Sequence, residues 1–263
     1  MTLTRRYHRA MTDIQPTSRL EVGGLPVDRI TMEQTLHRAE ALMAAPGLHQ
    51  HGVINADKVV KSQQNRQLAQ AIRSCDIVNA DGMSIVWASR LLGQPVPERV
   101  AGIDFMDKIL ARAAEHQWPV FFLGATDAVV KKVVTIECAR HPGLMVAGYR
   151  NGYWSRDEES HVTHEISRSG ATLLLIGISS PAKELFVARN RERLHVNLVV
   201  GVGGSFDVVA GVTRRAPSSW QRLGLEWAFR LIQEPRRMWR RYLIGNAKFT
   251  VLILRDFLKA RFR

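Results

Sequence analysis

The chain has 263 residues, 46% of them apolar, enough to bury the core of one large domain with an appendage and too many for a disordered body. Its two cysteines, Cys75 and Cys138, stand in neither CxxC nor Cys/His spacing, which excludes a disulfide framework or a zinc motif of that kind and fits a reducing cytoplasm. The formal charge of +13 is concentrated at one end: Val212 to Arg263 holds thirteen Lys and Arg against three acids, so the first 211 residues are almost neutral.

Residues 1–19 contain Arg5, Arg6, His8 and Arg9 with no apolar run behind them, and read as a flexible leader rather than a secretory signal. From there to Gly211, short apolar runs alternate with amphipathic stretches. Strands are predicted near His51–Asn55, Asp76–Asn79, Val120–Gly124, Leu144–Ala147, Thr172–Gly177 and Leu198–Val202. Helices are predicted at Met32–Ala45, Lys58–Arg73, Met83–Leu92, Ile103–His116, Ala128–Arg140, Glu158–Ser169 and Ala182–Leu194. This alternation gives an α/β fold with a mainly parallel sheet and helices on both faces, and such a sheet binds its ligand at the carboxyl ends of its strands. The α/β domain therefore spans 20–211.

Beyond it, 212–263 forms a basic amphipathic appendage. On a helical wheel Trp220, Leu223, Trp227, Leu231, Met238 and Tyr242 share one side, and Arg222, Arg230, Arg237 and Arg240 an adjacent one. Pro235 must end or kink the helix. The apolar side either docks on the body or meets a membrane; four arginines on one face repel one another unless they share an anion. The longest apolar run there, Phe249–Leu254, is far short of the roughly 20 residues that span a bilayer.

The strand-to-helix loops collect the polar and glycine residues. In Asn79-Ala80-Asp81-Gly82 the glycine permits a tight turn, and Asp81 either caps the next helix or projects into the cleft as a general base. Gly124 and the Gly201–Gly204 stretch resemble loops that bring backbone N–H groups to a diphosphate. Neither is a GxGxxG fingerprint, and no GxxxxGK[ST] exists, so nicotinamide and ATP chemistry are poor fits. No DxD pair is present to hold a divalent ion on a nucleotide diphosphate; Asp104 and Asp107 form DxxD on a predicted helix. The expected chemistry uses no metal or cofactor, and a leaving diphosphate falls to Arg99, Lys183, the arginine face and backbone donors. Arg99 is equally readable as a salt-bridge residue. His51, His116, His141, His161, His164 and His195 show no metal spacing and read as surface or loop residues. The pI near 10.5 also suits a nucleic-acid-binding module, but no RRM, KH or helix-turn-helix signature is visible.

Taken in order, Asn79-Ala80-Asp81-Gly82, Glu98-Arg99-Val100-Ala101-Gly102-Ile103-Asp104, Phe122-Leu123-Gly124-Ala125, Gly152-Tyr153-Trp154, Gly201-Val202-Gly203-Gly204-Ser205-Phe206-Asp207, Arg215-Ala216-Pro217, Gly224 to Leu231 and Glu234-Pro235-Arg236-Arg237 resemble the WecG/TagA/CpsF family of bacterial glycosyltransferases. The resemblance implies a Rossmann-like body and an appendage that docks on the cytoplasmic face of the plasma membrane. It implies inverting transfer from a UDP-sugar to a polyprenyl-diphosphate-linked sugar, with an anionic membrane surface as partner and no nucleic acid. By position, Asp81 resembles the family's catalytic base, and Asn55 and Arg99 resemble residues of the sugar and diphosphate pocket. Asp207 stands at a family site aspartate, and Arg230, Arg237 and Arg240, with Arg214 near them, resemble appendage arginines that grip the diphosphate. Val53 replaces the threonine of N-acetylmannosamine-transferring members, and Lys183 replaces the glutamine of Pro-Lys-Gln-Glu. Losing a hydroxyl and gaining a cation should alter which sugar is held. The stretch Gly177 to Lys183, with Asp207 to Arg215, resembles members that add glucose in xanthan-like or acetan-like exopolysaccharide synthesis, which implies UDP-glucose over UDP-N-acetylmannosamine or its uronic acid.

Overall fold

The computed structural model describes residues 18–262, the side chains of Arg237, Arg241 and Ala260 excepted. The expected leader therefore lies outside the described residues except at its end, where Arg19 already belongs to a strand. β1 (Arg19–Val22) and β2 (Leu25–Asp28) form an antiparallel hairpin absent from the sequence expectation. Arg19 Nε pairs with the buried Asp28 carboxylate at 2.7 Å, and its guanidinium donates to the carbonyls of Cys75 and Asp76. That anchors the hairpin on the body.

The main sheet contains β3 (His49–Ile54), β4 (Ile77–Ala80), β5 (Val120–Gly124), β6 (Val146–Arg150), β7 (Leu173–Gly177) and β8 (Leu198–Gly201), all parallel in the order β4-β3-β8-β7-β5-β6. Helices α1 (Met32–Ala44), α2 (Ala56–Gln64), α3 (Arg66–Arg73), α4 (Met83–Leu91), α5 (Gly102–His116), α6 (Asp127–Arg140), α7 (Glu159–Arg168), α8 (Ala182–Asn190) and the short α9 (Ser205–Val209) cover it. Strand alternation sorts the core into two layers. Phe122, Leu173, Leu175, Leu198 and Val200 face α1, α5 and α6, whereas Phe121, Leu123, Leu174, Ile176 and Val199 face α7 and α8. Both faces are buried, as the apolar runs of a parallel sheet require.

The helix expected over 58–73 is broken at Asn65. Asn65 adopts extended backbone, and its Oδ1 accepts the Leu68 N–H at 2.9 Å, so a side chain that competes with helical bonding ends α2 and caps α3. β6 starts two residues later than expected.

The appendage is more segmented than two helices. It comprises α10 (Ser218–Arg222), α11 (Glu226–Gln233), α12 (Pro235–Trp239), a π-helical turn (Arg240–Ile244) and α13 (Gly245–Arg261). Pro235 stands at the first position of α12, where its missing N–H costs nothing. Phe249 and Ile253 of α13 are buried in a third apolar cluster with Val59 and the hairpin residues Val22 and Leu25. The Gly23 N–H donates to Asp256 Oδ2 at 3.2 Å. Gly23 itself has φ of +57°, and a Cβ there would lie 2.4 Å from Val59 Cγ1 and 2.8 Å from Leu252 Cδ2. Gly23→Ala is therefore expected to cost ~1–3 kcal/mol by overpacking, read as a lower denaturant midpoint. No described helix is long and apolar enough to cross a membrane.

Candidate active site

The carboxyl ends of β3, β4, β7 and β8 open into one cavity of about 1510 Å³, walled on the opposite side by the appendage. Asn55, Asp81, Lys183, Gly203 and Asp207 line it from the body, and Arg230, Arg240 and Tyr242 from the appendage. The parallel sheet thus brings together loops that are more than a hundred residues apart in sequence.

Asp81 follows β4. Its N–H donates to the Ile54 carbonyl at 2.9 Å, and its Oδ1 accepts the N–H of Gly102, the first residue of α5, at 3.0 Å. α4 is capped by Gly82 without any side-chain bond, so Asp81 does not cap the helix that follows it. Its charge rests instead against the positive end of the longer α5. Asn55 caps α2, its Oδ1 accepting the Lys58 N–H at 3.1 Å.

Beneath the glycine loop lies a cationic cluster. Glu184 Oε1 stands 2.8 Å from Lys58 Nζ and 3.3 Å from Lys183 Nζ, and all three side chains are at most 8% exposed. Lys58 also donates to the Val53 carbonyl at 2.7 Å. Two ammonium groups thus share one carboxylate. Burial first, and then the neighbouring Lys58 charge, hold the Lys183 ammonium down to about 8, although Glu184 and Asp81 pull it back up. Burial alone would raise Glu184, but the two lysines outweigh it and hold that carboxyl at about 2. The cluster carries one positive charge more than it neutralises, next to a cavity. An anion placed there would relieve it. Gly201 makes room for this arrangement, since a Cβ would lie 2.8 Å from Lys183 Cε.

Not every expected residue reaches the cavity. Gly124 has φ of +140°, and a Cβ there would lie 2.5–2.7 Å from the Gly177 backbone; it lets β5 and β7 meet, while its neighbours Ala125 and Thr126 line the cavity. Arg99 pairs with Glu226 at the start of α11, which ties the body to the appendage, and is not among the lining residues. Arg214 exchanges backbone hydrogen bonds with the Gln233 amide and is also outside the lining. The Arg237 side chain lies outside the described residues. Arg215 lines the cavity instead, held by Asp104 at 2.7 Å.

The expected family pattern is matched by a family model. The model for the Glycosyl transferase WecG/TagA/CpsF family covers residues 20–263. The chain belongs to this glycosyltransferase family. It is also similar to a protein of Bacillus spizizenii strain W23 named N-acetylglucosaminyldiphosphoundecaprenol N-acetyl-beta-D-mannosaminyltransferase, at 33% identity over 195 residues, 74% of each chain. The protein is thus an enzyme of the glycosyl-transferring class.

Two residues of this enzyme carry weight that sequence reasoning missed. Lys58 lies one helical turn after Asn55, and a lysine so close to a strand end, with a second lysine beside Glu184, was the only available signal. His51 is a correction: it is a core residue, 1% exposed, not a surface or loop one. It stacks on Phe105 at 4.2 Å and donates from Nε2 to Asn79 Oδ1 at 2.8 Å. Burial, opposed by that hydrogen bond, lowers it to about 4, so it is neutral at pH 7. Asn79 in turn donates to Thr35 Oγ1 at 3.0 Å. The first residue of the Asn-Ala-Asp-Gly turn therefore fixes β4 in the core, and the third and fourth line the cavity.

Proposed function

We propose that this enzyme transfers an N-acetylmannosaminyl group, with inversion, from its UDP derivative to N-acetylglucosamine linked to polyprenyl diphosphate. The carrying observation is the pairing of Asp81 with an over-charged lysine cluster across one cavity. Asp81 takes the proton of the acceptor hydroxyl. That oxygen attacks the anomeric carbon, the bond to UDP breaks, and Lys183, Arg230, Arg240 and loop N–H groups receive the departing diphosphate charge. Asn55, Gly203 and Asp207 contribute to holding the sugars, and Arg99 and Arg214 act by holding the appendage in place.

The glucosyl donor implied by the stretches Gly177 to Lys183 and Asp207 to Arg215 finds no support in the Bacillus relative, whose name gives an N-acetylmannosaminyl donor group. The relative supports the N-acetylmannosamine reading instead. The appendage supports a peripheral position on the cytoplasmic membrane face: Leu243, Ile244, Val251, Leu254 and Leu258 are exposed on a segment rich in Lys and Arg.

One assay tests these readings. Purified enzyme is incubated with polyprenyl-diphosphate-linked N-acetylglucosamine and, separately, UDP-N-acetylmannosamine and UDP-glucose, in vesicles with and without anionic lipid. A product heavier by an N-acetylhexosamine, formed faster on anionic vesicles, is expected. A hexose product would restore the glucosyl reading, and equal rates on both vesicles would remove the charged-surface role.

A further inference from the structure

Away from the cavity, α5 and the end of α6 bring three ligand-type side chains together. His141 Nε2 lies 3.3 Å from Asp107 Oδ1 and 3.4 Å from Glu137 Oε2, and all three atoms lie within 4.8 Å of one another. None of these residues lines the active-site cavity, and the glycosyl-transfer chemistry uses none of them.

Two features separate this cluster from an ordinary ion pair. Glu137 is 0% exposed, and neither its Oε2 nor His141 Nε2 makes a well-aligned hydrogen bond, although the two stand 3.4 Å apart. A protonated imidazole held by two carboxylates would aim its N–H along one of these short approaches, and none is so aligned. The distances have another meaning. In a tetrahedral site with metal–ligand bonds of about 2.1 Å, ligand atoms stand about 3.4 Å apart. Both His141 distances match that edge. Arg140 Nη1 donates to the other Glu137 oxygen, Oε1, at 3.3 Å, which orients the carboxylate as an outer-shell partner does and leaves Oε2 aimed at the cluster.

We propose that Asp107, Glu137 and His141 form a binding site for a divalent transition metal, zinc by preference, with water in the fourth position. One imidazole and two carboxylates suit zinc better than magnesium or calcium, which favour all-oxygen shells. Glu137 and His141 are one helical turn apart, and Asp107 comes from α5, so the ion joins the end of α6 to the helix whose first N–H holds Asp81.

The test uses untagged full-length enzyme, stripped with chelator and titrated with Zn²⁺ by calorimetry and with Co²⁺ by visible absorption. Wild type is expected to bind one equivalent more than His141→Ala, and to show the intense d–d bands of four-coordinate cobalt. Asp107→Asn, an exposed substitution that keeps the fold, is expected to weaken that equivalent by at least about tenfold, and both variants should melt like wild type in chelator. Identical isotherms and spectra for wild type and both variants would overturn the proposal and leave the cluster as a charged imidazole between two acids.

Discussion

Asp81→Asn is expected to lower the turnover number by about 10²–10⁴-fold while leaving the denaturant midpoint where it is. The separation of the two effects follows from the geometry. Asparagine keeps an Oδ1 that can accept the Gly102 N–H, so the junction between β4 and α5 survives. What it loses is the capacity to take a proton. Asp81→Ala removes both, and should add a stability cost of about 1 kcal/mol to the same loss of turnover. The Michaelis constants for both substrates should change little in Asp81→Asn, since a base acts on the transition state more than on binding. Wild-type turnover by a folded Asp81→Asn enzyme would end the assignment.

How far the sequence discloses this site depends on what each residue's neighbours are. The parallel sheet was legible because Val120–Gly124, Thr172–Gly177 and Leu198–Val202 are apolar runs between amphipathic stretches, and strands buried on both faces leave that mark. The hairpin was not, because each of its strands is only four residues long and β2, buried at all four positions, shows no alternation. Asp81 was identifiable from its turn, yet spacing could not tell a helix cap from a cavity carboxylate. That distinction rests on Gly102, twenty-one residues later. Arg99 was ambiguous for the same reason: its partner Glu226 belongs to the appendage. The arginine face of the wheel assumed one continuous helix, and the breaks at Glu234 and the π turn redistribute it, bringing Arg230 and Arg240 to the cavity and leaving Arg222 out of its lining. Burial is the least legible property. Nothing in the local pattern marks Lys58, Lys183 or His51 as interior.

That hidden burial sets up the second large effect. Lys183→Met is expected to reduce kcat/KM by about 10²–10³-fold, the usual cost of one missing donor to developing charge, while leaving stability equal to wild type or higher. The reason is the count of charges around Glu184. With Lys183 gone, Lys58 and Glu184 remain as a matched buried pair at 2.8 Å, and the surplus cation is removed. Glu184→Gln does the opposite. It leaves two buried ammonium groups without their shared counter-ion and should destabilise the enzyme by about 3–5 kcal/mol. The pH dependence gives an independent reading. Lys183 titrates at about 8 in the folded enzyme against an ordinary 10.5, so between these values the unfolded chain holds more protons and stability rises with pH. That rise should vanish in Lys183→Met. Glu184, held at about 2 against 4.5, contributes stability that is complete above pH 4.5 and disappears as pH falls through 2. Free-enzyme activity should also decline above pH 8 as Lys183 loses its proton, and the decline should move upward in saturating donor, because a bound diphosphate favours the charged ammonium. If Lys183→Met were instead less stable and fully active, the cluster would be structural alone, and the diphosphate would depend on the appendage arginines.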